Sequence, residues 1–131
     1  MGDETMTDQA ERPVVLVVED EALTIMDLAD VLEAAGYQAL QSASAERALG
    51  LLETRGDIVA LITDVELSGR IDGFALARSA AQSRPGLPIV IVSGRAKADP
   101  DLIPAGARFV ARPCGGDDIL DVLTGLMANR G

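Results

Sequence analysis

The sequence predicts an α/β domain in which a five-stranded parallel sheet is covered by helices on both faces. Three observations lead there. Strongly apolar, β-branched runs recur at 14–18, 58–63 and 87–93, too short for helices and too continuous for strands with a wet face. Segments with helical spacing of apolar residues lie between them. Capping and breaking residues stand at the junctions. Strands that alternate with helices pair in parallel through crossovers, which puts helices on both sides of the sheet.

The elements follow in order. Residues 1–13 are polar and acidic, without apolar periodicity, and read as a flexible leader to a domain spanning 14–129. "VVLVV" (14–18) is a strand buried on both faces. Ile25, Leu28, Ala29, Leu32 and Ala35 form one helical stripe, stopped by Gly36. "YQALQSA" (37–43) is a weaker strand. Ser44 caps a helix carrying Ala48, Leu51 and Leu52, closed near Gly56. "IVALIT" (58–63) is the second strongly apolar strand, and the loop 67–73 leads to a helix over 74–83, before Pro85. "LPIVIVS" (87–93) is the fourth strand. Residues 94–106 hold Pro100 and Pro104, so the segment is irregular or forms one to two helical turns. "ARFVA" (107–111) is the last strand, and Asp117 or Asp118 caps a closing helix that runs to about Met127.

Composition narrows the function. A hydrophobic content of 48% indicates a globular chain with a true core. A net charge of −10 disfavours nucleic acid and anionic membranes, and suits a cation or a partner with a basic face. Cys114 is the only cysteine and there is no histidine, which removes disulfide frameworks, histidine triads and His-ligated zinc. Neither a signal peptide nor a membrane span is visible, and a reducing cytoplasm is the simplest compartment.

In doubly wound sheets the functional crevice lies at the carboxyl ends of the strands. The first strand ends in Glu19 and Asp20, the third in Asp64, the fourth in Ser93, and the fifth in Arg112 before Pro113. Three carboxylates, a hydroxyl and a cation therefore converge on one rim. Mg²⁺ takes oxygen ligands and keeps several waters, so one or two carboxylates suffice for it, and it would offset the repulsion among these acids. The plainer alternative for the opening stretch is that Asp20 and Glu21 cap the first helix. Ser93 could likewise only end its strand, and Phe109 could simply be core.

With those residues in view, the sequence resembles the receiver domain of two-component response regulators, over nearly everything from Val14 to Met127. The motifs are "VVED" at the first strand, "LITDV" at the third, "IVIVSGRA" at the fourth and "GARFVARP" at the fifth. The resemblance implies a flavodoxin-like sheet in the order 2-1-3-4-5. It implies that Asp64 accepts a phosphoryl group from a histidine kinase or phosphotransfer protein. It also implies that Glu19, Asp20, Asp64 and the backbone carbonyl of Glu66 hold Mg²⁺. By the same likeness Ser93 turns its hydroxyl to the phosphoryl group, Phe109 is an aromatic switch, and the Arg112–Pro113 peptide is cis. Such a domain is a switch rather than an enzyme, catalysing at most its own phosphoryl transfer and loss.

Three departures stand out. Arg112 occupies the family's usual lysine position, and Lys97 is a poor substitute for it. The loop after Asp64, "VELSGRIDG", has Ser68 for the usual proline and one extra residue. The segment between Ser93 and Phe109 is about three residues short, so the fourth helix of the family is curtailed. The leading expectation is a stand-alone receiver that signals to an unknown protein target by protein contacts, and a weak homodimer is compatible with it. The alternatives are a degenerate receiver acting as a phosphorylation-independent interaction module, and a metal-dependent phosphohydrolase.

Overall fold

The computed structural model describes residues 12–95 and 97–128. The leader expected over 1–13 lies outside the described residues except for Arg12 and Pro13, as does the last expected domain residue, 129. Five strands are present: β1 Val14–Val18, β2 Gln38–Ser42, β3 Ile58–Asp64, β4 Ile89–Ser93 and β5 Ala107–Ala111. Four helices accompany them: α1 Ala22–Ala34, α2 Ala45–Thr54, α3 Gly73–Ser83 and α4 Gly116–Ala128. The strands form one parallel sheet in the order β2-β1-β3-β4-β5, as expected.

Strand composition explains this order. β1 and β4 are buried at every residue and β3 at nearly every one, so they need cover on both faces and take the centre. β2 leaves Gln38 and Gln41 exposed, and β5 leaves Arg108 and Ala111 exposed; both lie at the edges. The two-residue period divides β1 between two cores. Val14, Leu16 and Val18 pack with Ala45, Ala48 and Leu52 of α2 and Phe74, Leu76, Ala77 and Ala80 of α3. Val15 and Val17 face Leu28 and Leu32 of α1 and Ile119 and Leu123 of α4.

Ser44 caps its helix as expected, and Asp72 caps α3 without having been singled out. The Ser44 side chain accepts from the Arg47 amide at 3.1 Å, and Asp72 accepts from the Ala75 amide at 2.9 Å. Glu21 caps α1 through the Thr24 amide at 2.9 Å, so the capping alternative holds for Glu21. Two expectations need correction. Ala35 is exposed beyond the helical stripe, because α1 ends at Ala34 and Gly36 turns the chain at φ +98°. Neither Asp117 nor Asp118 stands at the cap of α4: both lie in its first turn, and Asp118 reaches back to accept from the Gly115 amide at 2.9 Å.

Between β4 and β5 the described residues form no helix. Local turns organise this stretch instead, with Asp99 accepting from the Asp101 amide through its side chain and from the Leu102 amide through its carbonyl. Leu102 and Ile103 pack against the β1/α2/α3 core in place of a helix face. The Arg112–Pro113 peptide is cis, as the resemblance implied.

Candidate functional site

The rim at the carboxyl ends of β1, β3, β4 and β5 is assembled by parallel register. Val18 lies beside Thr63, Asp64 beside Val92 and Ser93 beside Ala111, so the residues that follow each strand emerge side by side. Glu19 is buried, Asp20 is exposed, Asp64 and Glu66 are half-buried, and Ser93 is buried.

Glu19 is held from three directions. Its Oε2 accepts from the Asp20 and Glu21 amides, both at 3.1 Å, and its Oε1 accepts from Arg112 Nη2 at 3.1 Å. The pair is unequal: the Glu19 side chain is 7% exposed and that of Arg112 28%, so the guanidinium brings its charge inward from a wetter position. Burial raises the Glu19 pKa, while the two amides and Arg112 oppose the rise. The Arg112 side chain passes beside Gly94, where a Cβ would make an ordinary contact at 3.5 Å from Arg112 Cδ. The strand end itself is undisturbed, since the Arg112 amide still donates to the Ser93 carbonyl at 2.8 Å. Lys97 is exposed. Arg112 therefore supplies the rim cation.

Asp64 is the unsatisfied group. Its Oδ1 is buried and has no hydrogen-bond partner among the described residues. Its pKa is pushed up to about 6, first by burial and then by the charges of Glu19 and Glu66, with Arg112 acting the other way. Below the side chain the backbone is tightly fixed. Thr63 Oγ1 donates to the Asp64 carbonyl at 2.9 Å, and the Gly73 amide donates to the Val65 carbonyl at 2.9 Å. A Cβ on Gly73 would lie 2.0 Å from the Asp64 carbonyl oxygen, so only glycine fits there.

Two side-chain contacts were not anticipated from sequence. Ser93 Oγ donates to Glu66 Oε2 at 2.6 Å and accepts from the Arg95 amide at 3.1 Å. Ser68 Oγ donates to Asp20 Oδ2 at 2.9 Å. The sequence marked Glu66 only for its carbonyl and Ser68 only as a missing proline; their polar side chains so near Asp64 were the available signal. Phe109 is half-buried, and its ring stacks on Phe74 with centroids 6.1 Å apart and planes 9° apart. Cys114 is half-buried against the β1/α1/α4 core, as a small apolar residue.

Among the described residues, no three carboxyl or thiol side chains are gathered around one point as metal ligands. Glu19 is turned to Arg112 and Asp20 to Ser68. The chemistry nonetheless suits a hard cation that needs only one or two carboxylates, because the orphaned Oδ1 of Asp64 lies among carboxylates whose charge a single guanidinium only partly offsets.

Sheet order and rim together define a receiver-type fold of two-component signalling. A model of the response regulator receiver domain matches residues 15–124, and the chain belongs to that family. It is 32% identical over 107 residues to the sensor kinase CckA of Brucella abortus (strain 2308), which covers 81% of this chain and 11% of that protein. A response regulator receiver protein from Sinorhizobium medicae WSM419 superposes with a TM-score of 0.81 at 25% identity, covering 93% of this chain and 99% of that one. The receiver domain of the hybrid histidine kinase CckA gives a TM-score of 0.73 at 30% identity, covering 87% and 98%. Among the described residues, no helix is long and apolar enough to cross a membrane.

Proposed function

We propose that the protein is a phosphoacceptor switch that takes a phosphoryl group on Asp64 from a histidine kinase or phosphotransfer protein and signals through protein contacts. The observation that carries this is the orphaned, buried Oδ1 of Asp64 at the end of a central strand. With a pKa of about 6 the carboxyl is mostly ionised at neutral pH and nucleophilic, yet poorly solvated. An Asp64 oxygen attacks phosphorus in line, the donor's bond to phosphorus breaks, and the donor group leaves with its electron pair. Arg112 balances charge from the β5 side, and the Ser93 hydroxyl can turn to a phosphoryl oxygen. Mg²⁺ on Asp64, Asp20, Glu19 and the Glu66 carbonyl would supply the remaining charge neutralisation. Leu23 and Met26, 73% and 60% exposed on the first turns of α1 beside the rim, suit contact with a phosphodonor protein.

The Glu19–Arg112 pair and the Ser93–Glu66 bond favour a second reading, in which the rim is locked and the domain acts as a phosphorylation-independent interaction module. Intact-mass analysis with acetyl phosphate decides between them. One adduct on the wild type that needs Mg²⁺ and is absent from Asp64→Asn is the expected result. No adduct, or equal yield in Asp64→Asn or in excess chelator, refutes the phosphoacceptor role.

A further inference from the structure

We propose that Glu66 stands in for a phosphoryl group in the unmodified protein: its carboxylate takes the Ser93 hydroxyl, so that phosphorylation of Asp64 displaces Glu66 and unties the loop 65–72. The inference rests on Asp64 being the phosphoacceptor.

A serine hydroxyl has one proton to donate. Ser93 gives it to Glu66 Oε2 at 2.6 Å, a length typical of a charge-assisted bond. The same proton cannot serve a phosphoryl oxygen, so the two acceptors exclude each other. Charge acts in the same sense, because an aspartyl phosphate adds negative charge beside a carboxylate that already opposes ionisation of Asp64.

A second tether has the same character. Ser68 Oγ, two residues beyond Glu66, donates to Asp20 Oδ2 at 2.9 Å, and Asp20 is a carboxylate that a cation at the rim would claim. Both side-chain bonds that tie this loop to neighbouring strand ends therefore run to groups that the modification needs. The loop's own ends are fixed: Val65 donates its amide to the Val92 carbonyl at 2.9 Å and accepts from the Gly73 amide at 2.9 Å. Between those ends Gly69 adopts φ +110°, and Ser68, Gly69 and Arg70 are exposed. Release at Glu66 and Ser68 would thus change one short exposed surface without unpairing β3. As no helix forms between β4 and β5 among the described residues, this loop is a switching surface that the chain retains.

The test uses the wild type, Glu66→Gln, Glu66→Ala and Ser93→Ala, each with and without acetyl phosphate and Mg²⁺. Loop opening is read by amide exchange over 66–72, and modification by intact mass. In the unmodified state Glu66→Ala and Ser93→Ala should each exchange about tenfold faster in the loop than the wild type, the scale of one charge-assisted hydrogen bond. The wild-type loop should reach at least that rate only when phosphorylated, and phosphorylation of Glu66→Ala should add only the smaller rise that release of Ser68 from Asp20 brings. Adduct formation should be fastest in Glu66→Ala, with Glu66→Gln in between, because glutamine keeps an acceptor but loses the charge. A phosphorylated wild type whose loop exchange is unchanged overturns the latch alone, as does Glu66→Ala matching the wild type in both readouts. No adduct on any variant refutes the phosphoacceptor role and the latch with it.

Discussion

Replacing Asp64 by Asn should stabilise the fold, by an amount that depends on pH. In the folded protein the carboxyl has a pKa of about 6 against an ordinary 3.8, first because it is buried and then because Glu19 and Glu66 stand near it. A folded value above the unfolded one means that the folded state binds the proton more tightly. The contribution of Asp64 therefore favours folding below about pH 4 and is lost as the pH rises to about 6. At 1.36 kcal/mol for each pH unit the full gap corresponds to about 3 kcal/mol, which half-exposure to water reduces to roughly 2. Asparagine has the same shape and cannot ionise, so it escapes that cost. Urea melts at pH 8 should show Asp64→Asn more stable by about 2 kcal/mol at unchanged slope, and by less than about 1 kcal/mol at pH 4.5. Mg²⁺ should narrow the difference at pH 8 by stabilising the wild type alone. A gain of equal size at both pH values, or a destabilised variant at pH 8, would show that Asp64 is comfortably solvated and that the rim is not strained by its own charge.

Other perturbations follow from the same rim. Arg112→Ala should cost about 2 kcal/mol in a urea melt, less than the loss of a fully buried pair, because two amides still hold Glu19. It should also slow adduct formation on Asp64, with Arg112→Lys in between; three equal rates would show that the guanidinium plays no part in transfer. Gly73→Ala should cost about 3 kcal/mol or prevent folding, since the added carbon would lie 2.0 Å from the Asp64 carbonyl oxygen. An unchanged urea midpoint for that variant would mean that the turn over 65–73 relaxes freely.

Much of the fold was legible because its signals are local. The continuous runs in β1, β3 and β4 require cover on both faces whatever surrounds them, and Ser44 marks its helix by itself. The site was legible as a set of strand ends, since parallel register brings Asp64, Ser93 and Arg112 together without reference to their side chains. Side-chain direction was not legible. Whether Glu19 faces a cation site or a cation of the protein depends on Arg112, 93 residues away in sequence. Whether Ser93 ends a strand or engages an anion depends on Glu66 in a different loop. Ala35 and the start of α4 were misplaced because helix ends depend on single hydrogen bonds, here those at Gly36 and Gly115.

The crossover from β4 to β5 makes the chain unusually open to insertion. A helix at that point would set its own length, because added residues would rotate its apolar face away from the sheet. Here the anchoring rests on Leu102 and Ile103 and on the turn at Asp99, while residues 97–101 are exposed. New sequence placed after Ala98 leaves those anchors and the pairing of β5 in place. Its cost is chiefly that of closing a longer loop, which grows by only about 0.6 kcal/mol for each doubling of length. A reporter peptide or a binding epitope could thus be carried between the central strand β4 and the edge strand β5 without touching the strand pairing that places Asp64.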